Sequence, residues 1–236
     1  MKRVAILQSN YIPWKGYFDI INSVDEFILY DDAQYTKGDW RNRNKIKTTN
    51  GLRWLTIPVH GKGLFYQKTC ECQVAGNTWI DTHWKTIAQS YARAPFFETH
   101  APFFRGLYEQ CRNVNLLSTI NHLFLKEICS LIKIDTLLTW SMDYEVYGER
   151  SERLRNICLQ ANADEYLSGP AAKNYLNEKL FNDKNIQVCW MDYGGYLEYN
   201  QLFSPPFVHE LSIIDLIFNV GANKAINYLL RAPKND

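Results

Sequence analysis

The residues best placed to do chemistry lie in the first 45 positions. Gln8, Tyr11 and Lys15 follow an apolar run at 4–7, and Asp31-Asp32 closes a second run at 27–30. Apolar runs this short read as buried strands. The segment between them, 17–24, suits a short helix. Strand, loop, helix, strand is a βαβ unit, and ligands of open α/β sheets gather beyond the carboxyl ends of such strands. All five residues are therefore expected at one sheet edge. Neighbouring carboxylates point to opposite faces of an extended chain, so Asp31 and Asp32 do not make a metal site by themselves. One could hold a substrate amine or take its proton while the other caps the next turn.

Other segments carry compatible chemistry. In Tyr11-Ile12-Pro13-Trp14-Lys15-Gly16-Tyr17, Pro13 fixes φ and Gly16 allows close backbone approach where a helix starts. Free amides there would suit a phosphate or carboxylate, and an aromatic-packed turn is the plainer alternative. Asn42-Arg43-Asn44, with Trp40 and Arg41, suits clamping of the same groups through the guanidinium fork, unless the loop is simply solvated. His83 and Lys85 fall on an expected helix at 79–92. His83 shares a face with Ile87 and Ala88; a lone His there is more often a satisfied core residue, yet it is the best imidazole for acid–base work. Leu167-Ser168-Gly169-Pro170-Ala171-Ala172-Lys173 resembles a second phosphate-binding turn without the Gly-Lys-Ser/Thr of a P-loop. Ser212 reads as a helix N-cap and Asp215 as a complement to that helix's dipole. No nucleophile elbow and no His-x-His or His-Glu-x-x-His pair occurs.

The elements that position these residues can be read along the chain. Asn50-Gly51 between alternating segments marks a hairpin, Gly61-Lys62-Gly63 a turn, and 69–74 a short strand with Cys70 and Cys72 on one side. Helices are expected at 102–111 and 116–132, strands at 136–140, 165–168 and 186–191, and helices ending near Gln160 and at 173–181, 212–219 and 224–230. Strands and helices alternate at both ends, which predicts an α/β fold. The expectation is one Rossmann-like domain over 1–236 with a mainly parallel sheet, a hairpin insertion at 45–75 and a helical subdomain at 79–132.

Composition limits the partners. Twenty-six basic and 25 acidic side chains give a net charge of +1, which argues against a dedicated nucleic-acid binder. No run approaches the ~20 apolar residues of a membrane span, and the opening is too short for a signal-peptide core. A cytoplasmic chain with small-molecule partners is expected, with its 6 cysteines reduced and without the paired spacing of a zinc site.

In shape the opening also resembles the nucleotidylyltransferase and pantothenate-synthetase superfamily, in which a His-x-Gly-His segment follows the first strand. Here those positions read Trp14-Lys15-Gly16-Tyr17, without either imidazole. A closer likeness runs through nearly the whole chain. Its elements are Ile6-Leu7-Gln8, Tyr11-Ile12-Pro13-Trp14-Lys15-Gly16-Tyr17-Phe18, Asp25-Glu26-Phe27, Asp31-Asp32-Ala33-Gln34-Tyr35 and Asn42-Arg43-Asn44. They continue with Leu55-Thr56-Ile57-Pro58-Val59, His83-Trp84-Lys85, Tyr91-Ala92-Arg93-Ala94-Pro95-Phe96-Phe97, Tyr166-Leu167-Ser168-Gly169 and Leu211-Ser212-Ile213-Ile214-Asp215. This ordered set resembles the WbqC-like protein family of bacterial surface-polysaccharide gene clusters. Ser9 stands where proline is expected after the glutamine.

The resemblance implies O-antigen or capsule (lipopolysaccharide) biosynthesis and an aminoacyl, glycine-like transfer to amino sugars. The expected reaction is N-acylation of the amine of a nucleotide-linked amino sugar. If the opening belongs with pantothenate-synthetase-like folds, ATP, with Mg²⁺, would activate the acid as an acyl-adenylate. In that scheme Gln8, Tyr11, Trp14, Gly16, Tyr17, Asp31, Gln34, Arg43, Asn44, Lys85, Ser168 and Gly169 bind nucleotide or substrate, and Asp32 or His83 deprotonates the amine. No protein metal site is expected. A nucleotidylyltransferase and a non-enzymatic sugar-nucleotide-binding protein are the alternatives, and the donor, the sugar and the oligomeric state stay open.

Overall fold

The structure, a computed structural model, describes residues 1–61 and 63–230; Lys62, in the expected turn, and residues 231–236 lie outside the described residues. The chain order is β1 (Arg3–Leu7), α1 (Lys15–Asn22), β2 (Glu26–Leu29), β3 (Arg43–Thr48), β4 (Gly51–Thr56), α2 (Thr78–Tyr91), α3 (Phe97–Gln110), α4 (Leu117–Leu131), β5 (Leu137–Trp140), α5 (Arg150–Gln160), β6 (Glu165–Ser168), α6 (Lys179–Asn182), β7 (Gln187–Trp190), α7 (Ile213–Val220) and α8 (Ala222–Ala225). Five strands form a parallel sheet in the order β5-β2-β1-β6-β7, and β3 and β4 form a separate antiparallel hairpin. The fold is α/β and Rossmann-like, as the alternation of strands and helices implies.

Strand alternation decides what each face covers. Ala5, Phe27 and Leu29 join the larger core with α1, α2, α3, α4 and α7. Val4, Ile6 and Ile28 face the smaller core of Ile157, Cys158 and Phe181 from α5 and α6. Both sides of the sheet are covered, which is why β1 and β2 read as unbroken apolar runs.

Three local expectations are corrected. Residues 69–74 are not a strand: Thr69–Glu71 is a 3₁₀ turn, with Glu71 accepting from the Lys68 amide at 2.8 Å. The helix expected at 173–181 is a 3₁₀ turn at Pro170–Asn174 followed by the short α6. Pro102 lies inside α3 instead of opening it, in its second turn. No helix among the described residues is long and apolar enough to cross a membrane.

The topology creates one crevice. The chain moves from β1 outward through β2 to β5, then returns to the other side of β1 as β6. Strand order reverses there, so connections leave β1 and β6 in opposite directions. Pairing of β1 with β6 covers only Arg3–Glu165 and Val4–Tyr166, whereas β1 pairs β2 along Val4–Leu7. Beyond Val4 and Tyr166 the edge between the two strands is open.

Candidate functional site

That opening is a crevice of about 460 Å³. Leu7 and Gln8 line it from the end of β1, Tyr30 and Ala33 from the loop after β2, and Ser168 and Gly169 from the end of β6. Arg41 and Arg150 bring two guanidinium groups, and among the described residues no carboxylate belongs to the lining. Small Ala171 and Ala172, in the turn after Gly169, leave room beside the backbone. Arg150 starts α5 with φ of 46°, an unusual backbone region for a residue with a side chain. The arrangement is an electropositive slot suited to phosphate or carboxylate.

Gln8 does not present its amide freely. Its Nε2 donates to the Gln34 carbonyl and to Thr69 Oγ1, each at 3.0 Å, and its Oε1 accepts from Arg41 Nε at 3.1 Å. Arg41 also donates to Asn10 Oδ1 and lies 3.7 Å from Asp39. Gln8 thus aims the guanidinium, and Asn10 fixes its other end.

The two carboxylates after β2 part company as the pleat requires. Asp31 is fully buried. Its Oδ1 accepts the Ser9 amide at 2.8 Å, while its Oδ2 has no hydrogen-bond partner among the described residues. Burial pushes its carboxyl up to about 6, against the Ser9 hydrogen bonds and the Arg41 charge, with the Asp32 charge adding to the rise. Ser9 itself is held by Asn121 from α4, whose Nδ2 donates to Ser9 Oγ at 3.0 Å and to the Arg41 carbonyl at 2.9 Å. Asp32 accepts from Ser141 Oγ and pairs with Arg153, whose guanidinium lies over the Tyr30 ring. Both Asp32 oxygens are thus engaged. Of the two, Asp31 is the one that keeps an oxygen without a hydrogen-bond partner among the described residues, and that oxygen is buried.

Several expected site residues do other work. His83 lines no part of the crevice. Its Nδ1 is 3.0 Å from the Tyr11 hydroxyl, which is 2.6 Å from the Tyr108 hydroxyl, and the Trp79 ring packs beside it. Burial lowers its pKa to about 4, so the imidazole is neutral near pH 7. Tyr11 is buried in the same cluster. Lys15, placed at the sheet edge by the sequence, turns instead into the loop before α7. There it donates to the Leu197 carbonyl at 2.9 Å and lies over the Tyr196 and Tyr199 rings, and burial lowers it to about 8. The first turn of α1 is buried and Trp14 bridges to Ser212, so its amides are not open to a phosphate. Gly16 admits the Trp14 ring, which a Cβ at that position would overlap. Tyr17 donates to the Gln8 carbonyl at 2.8 Å, and Asn44 Nδ2 holds the carbonyls of Tyr11 and Ile12. Lys85 is exposed on α2. Gln34 and Arg43 line a second, separate cleft. Gln8, Ser168 and Gly169 meet in the crevice, whereas Asp31 is buried and outside its lining.

Arg41, Arg150, Arg153 and Asn121 are the functional candidates that the sequence reading did not single out for these places. Arg41 carried a signal, since it adjoins the expected clamp Asn42-Arg43-Asn44. Arg150 and Arg153 carried one too, because the start of the helix after β5 must return to the same carboxyl edge. Asp215 takes the structural role read for it less simply: it accepts from Tyr91, Tyr199 and Gln201 at 2.8, 2.6 and 2.8 Å, and Ser212 caps α7 by accepting the Ile214 amide. Among the described residues no group of His, Cys, Asp and Glu is arranged to hold a metal ion.

Comparison with known proteins places this geometry in a lineage. The model of the WbqC-like protein family matches residues 8–227. An "Uncharacterized protein Rv1507c" of Mycobacterium tuberculosis (strain ATCC 25618 / H37Rv) is 50% identical over 229 residues, covering 97% of this chain and 98% of that protein. No solved structure matches the chain.

Proposed function

We propose, for a chain that belongs to the WbqC-like protein family, that the crevice between β1 and β6 binds the phosphates of a nucleotide-linked amino sugar whose amine is then N-acylated. The observation that carries this reading is the slot that holds Arg41 and Arg150 with no carboxylate among its described lining residues, Arg41 being close enough for its charge to act on the buried Asp31 carboxyl. The substrate class is what the resemblance to that family implies, a nucleotide-linked amino sugar of surface-polysaccharide or O-antigen biosynthesis.

Each step assigns a task to a residue of this chain. Arg41 and Arg150 neutralise the diphosphate, and the small residues after Gly169 let it approach the backbone. The sugar amine is largely protonated near neutral pH and must lose a proton before it can attack. Asp31 Oδ2 takes that proton. The neutral nitrogen then bonds to the acyl carbon as the carbon–leaving-group bond breaks, and its second proton passes to the departing group or to solvent, giving the neutral amide. Where the acid is free, ATP would activate it: the carboxylate attacks the α-phosphate, pyrophosphate departs, and AMP is then the group that leaves as the amide forms. Asp32, tied to Arg153, holds Tyr30 and α5 in place and is not the base.

The full burial of Asp31 favours one competing reading, a sugar-nucleotide-binding protein without turnover. Mass spectrometry separates the two. Nucleotide-linked amino sugars are incubated with the protein, ATP and an amino-acid mixture. Gain of one acyl mass, lost in Asp31→Asn while binding persists, supports the transferase. Binding without mass gain across a broad donor panel supports the binding protein. Loss of neither binding nor product in Arg150→Ala would remove the crevice from both.

A further inference from the structure

The second cleft lies on the far side of the 33–42 segment from the crevice, between that segment and the strand end that carries Ile57 and Pro58. It is larger, about 880 Å³. Two unsatisfied polar atoms sit in residues that line it. Asn42 is 6% exposed; its Nδ2 donates to the Ile57 carbonyl at 2.8 Å, but its Oδ1 has no hydrogen-bond partner among the described residues. Arg43 Nε, on the next residue, likewise has none, although its guanidinium is held over the Trp54 ring at 4.2 Å and donates to the Gly38 carbonyl. Buried polar groups are rarely left unpaired unless something absent from the protein pairs them. One is an acceptor and one a donor, on consecutive residues of the lining.

The surroundings narrow the ligand. Lys37 stands exposed at the rim, and among the described residues no Asp or Glu lines the cleft. The nearest acid in sequence, Asp39, is engaged by Thr36, by the Trp40 amide and by Arg41. Apolar walls come from Ile57, Pro58 and Phe65, and Phe65 is 78% exposed. A cation pair without acids excludes an ammonium guest and favours a carboxylate. The orphaned Asn42 oxygen requires a hydrogen-bond donor on the same molecule. An exposed phenyl ring gains by covering an apolar or aromatic body.

We infer that this cleft is a second binding site, for a small organic acid that carries a carboxylate and a hydroxyl or N–H donor on an apolar body. The site stands independently of the acyl-transfer reading. It adjoins the crevice through Gln8, which hydrogen-bonds the Gln34 carbonyl, while Gln34 Nε2 donates to the Phe65 carbonyl at 2.8 Å. Occupancy of one site is thus one residue removed from the other.

The test uses the full chain and simple probes. Binding of the three hydroxybenzoates, benzoate, benzyl alcohol and benzylamine is measured by saturation-transfer NMR and calorimetry. At least one hydroxybenzoate should bind more tightly than benzoate, and the alcohol and the amine more weakly than either. Lys37→Ala should weaken the acids about two- to fivefold and Phe65→Ala about three- to tenfold. Both residues are exposed, so folding is not at stake. Arg150→Ala should leave acid binding unchanged while it weakens binding of a nucleotide-linked amino sugar, which keeps failure here distinct from failure of the crevice. Equal binding of acid and amine, no binding at millimolar concentrations, or indifference to both Lys37→Ala and Phe65→Ala would overturn the assignment.

Discussion

Replacing Asp31 by Asn should stabilise the protein at neutral pH while abolishing its chemistry. The carboxyl rises from an ordinary 3.8 to about 6 because it is buried. The folded state therefore holds this proton more tightly than the unfolded chain does. Between about pH 4 and 6 the folded protein binds more protons, so stability falls as pH rises through that window. Above it, keeping Asp31 ionised costs about 3 kcal/mol, at about 1.4 kcal/mol per pH unit. The introduced side-chain amide would keep an acceptor for the Ser9 backbone N–H, but its NH₂ group would lack a partner where Oδ2 now lacks one. That loss offsets about 1–2 kcal/mol, leaving a net gain of about 1–2 kcal/mol. For a chain of this size the melting temperature should rise by about 2–8 °C at pH 7.5, and not at all at pH 4. Thermal unfolding of both proteins across that range measures it. A destabilised Asp31→Asn protein at pH 7.5, or a gain of equal size at pH 4, would refute the reasoning that burial raises this group.

Further outcomes follow from the same geometry. His83 has the opposite sign: its lowered pKa of about 4 makes stability fall as pH drops from about 6.5 toward 4, so His83→Gln should flatten the acid limb of the unfolding profile, and turnover should persist. Gly16→Ala should destabilise by about 1–3 kcal/mol in urea titration, since the new methyl overlaps the Trp14 ring and overpacking outweighs the ~1 kcal/mol of helix propensity gained. Arg153→Gln leaves Asp32 buried with only Ser141 for a partner. It should cost about 2–4 kcal/mol, a loss that Asp32→Asn in the same chain should largely restore. Gln8→Ala should raise the dissociation constant for a nucleotide-linked amino sugar several-fold without changing the fold, by releasing Arg41 Nε; an unchanged affinity would show that Arg41 needs no such support.

Local patterns in the amino acids determined most of the framework. Apolar runs at 4–7 and 27–30 became β1 and β2 because both sheet faces are covered, and Asn50-Gly51 became the hairpin turn because Gly51 sits at φ of 93°. The rule that ligands collect beyond parallel strands was enough to bring Gln8, Ser168 and Gly169 to one crevice. Only the tertiary structure decided the direction in which each side chain between these landmarks points. Tyr11, Lys15 and Gly16 occupy a loop of the expected shape, yet packing against α2, α3 and the segment before α7 turns them into the interior. Asp31 and Asp32 are chemically identical neighbours. One is left with a spare oxygen and the other is paired, because Arg153 arrives from a helix more than a hundred residues later. Periodicity reports which face of an element is apolar, but the charge state and reach of a buried group depend on partners that only the folded chain brings near.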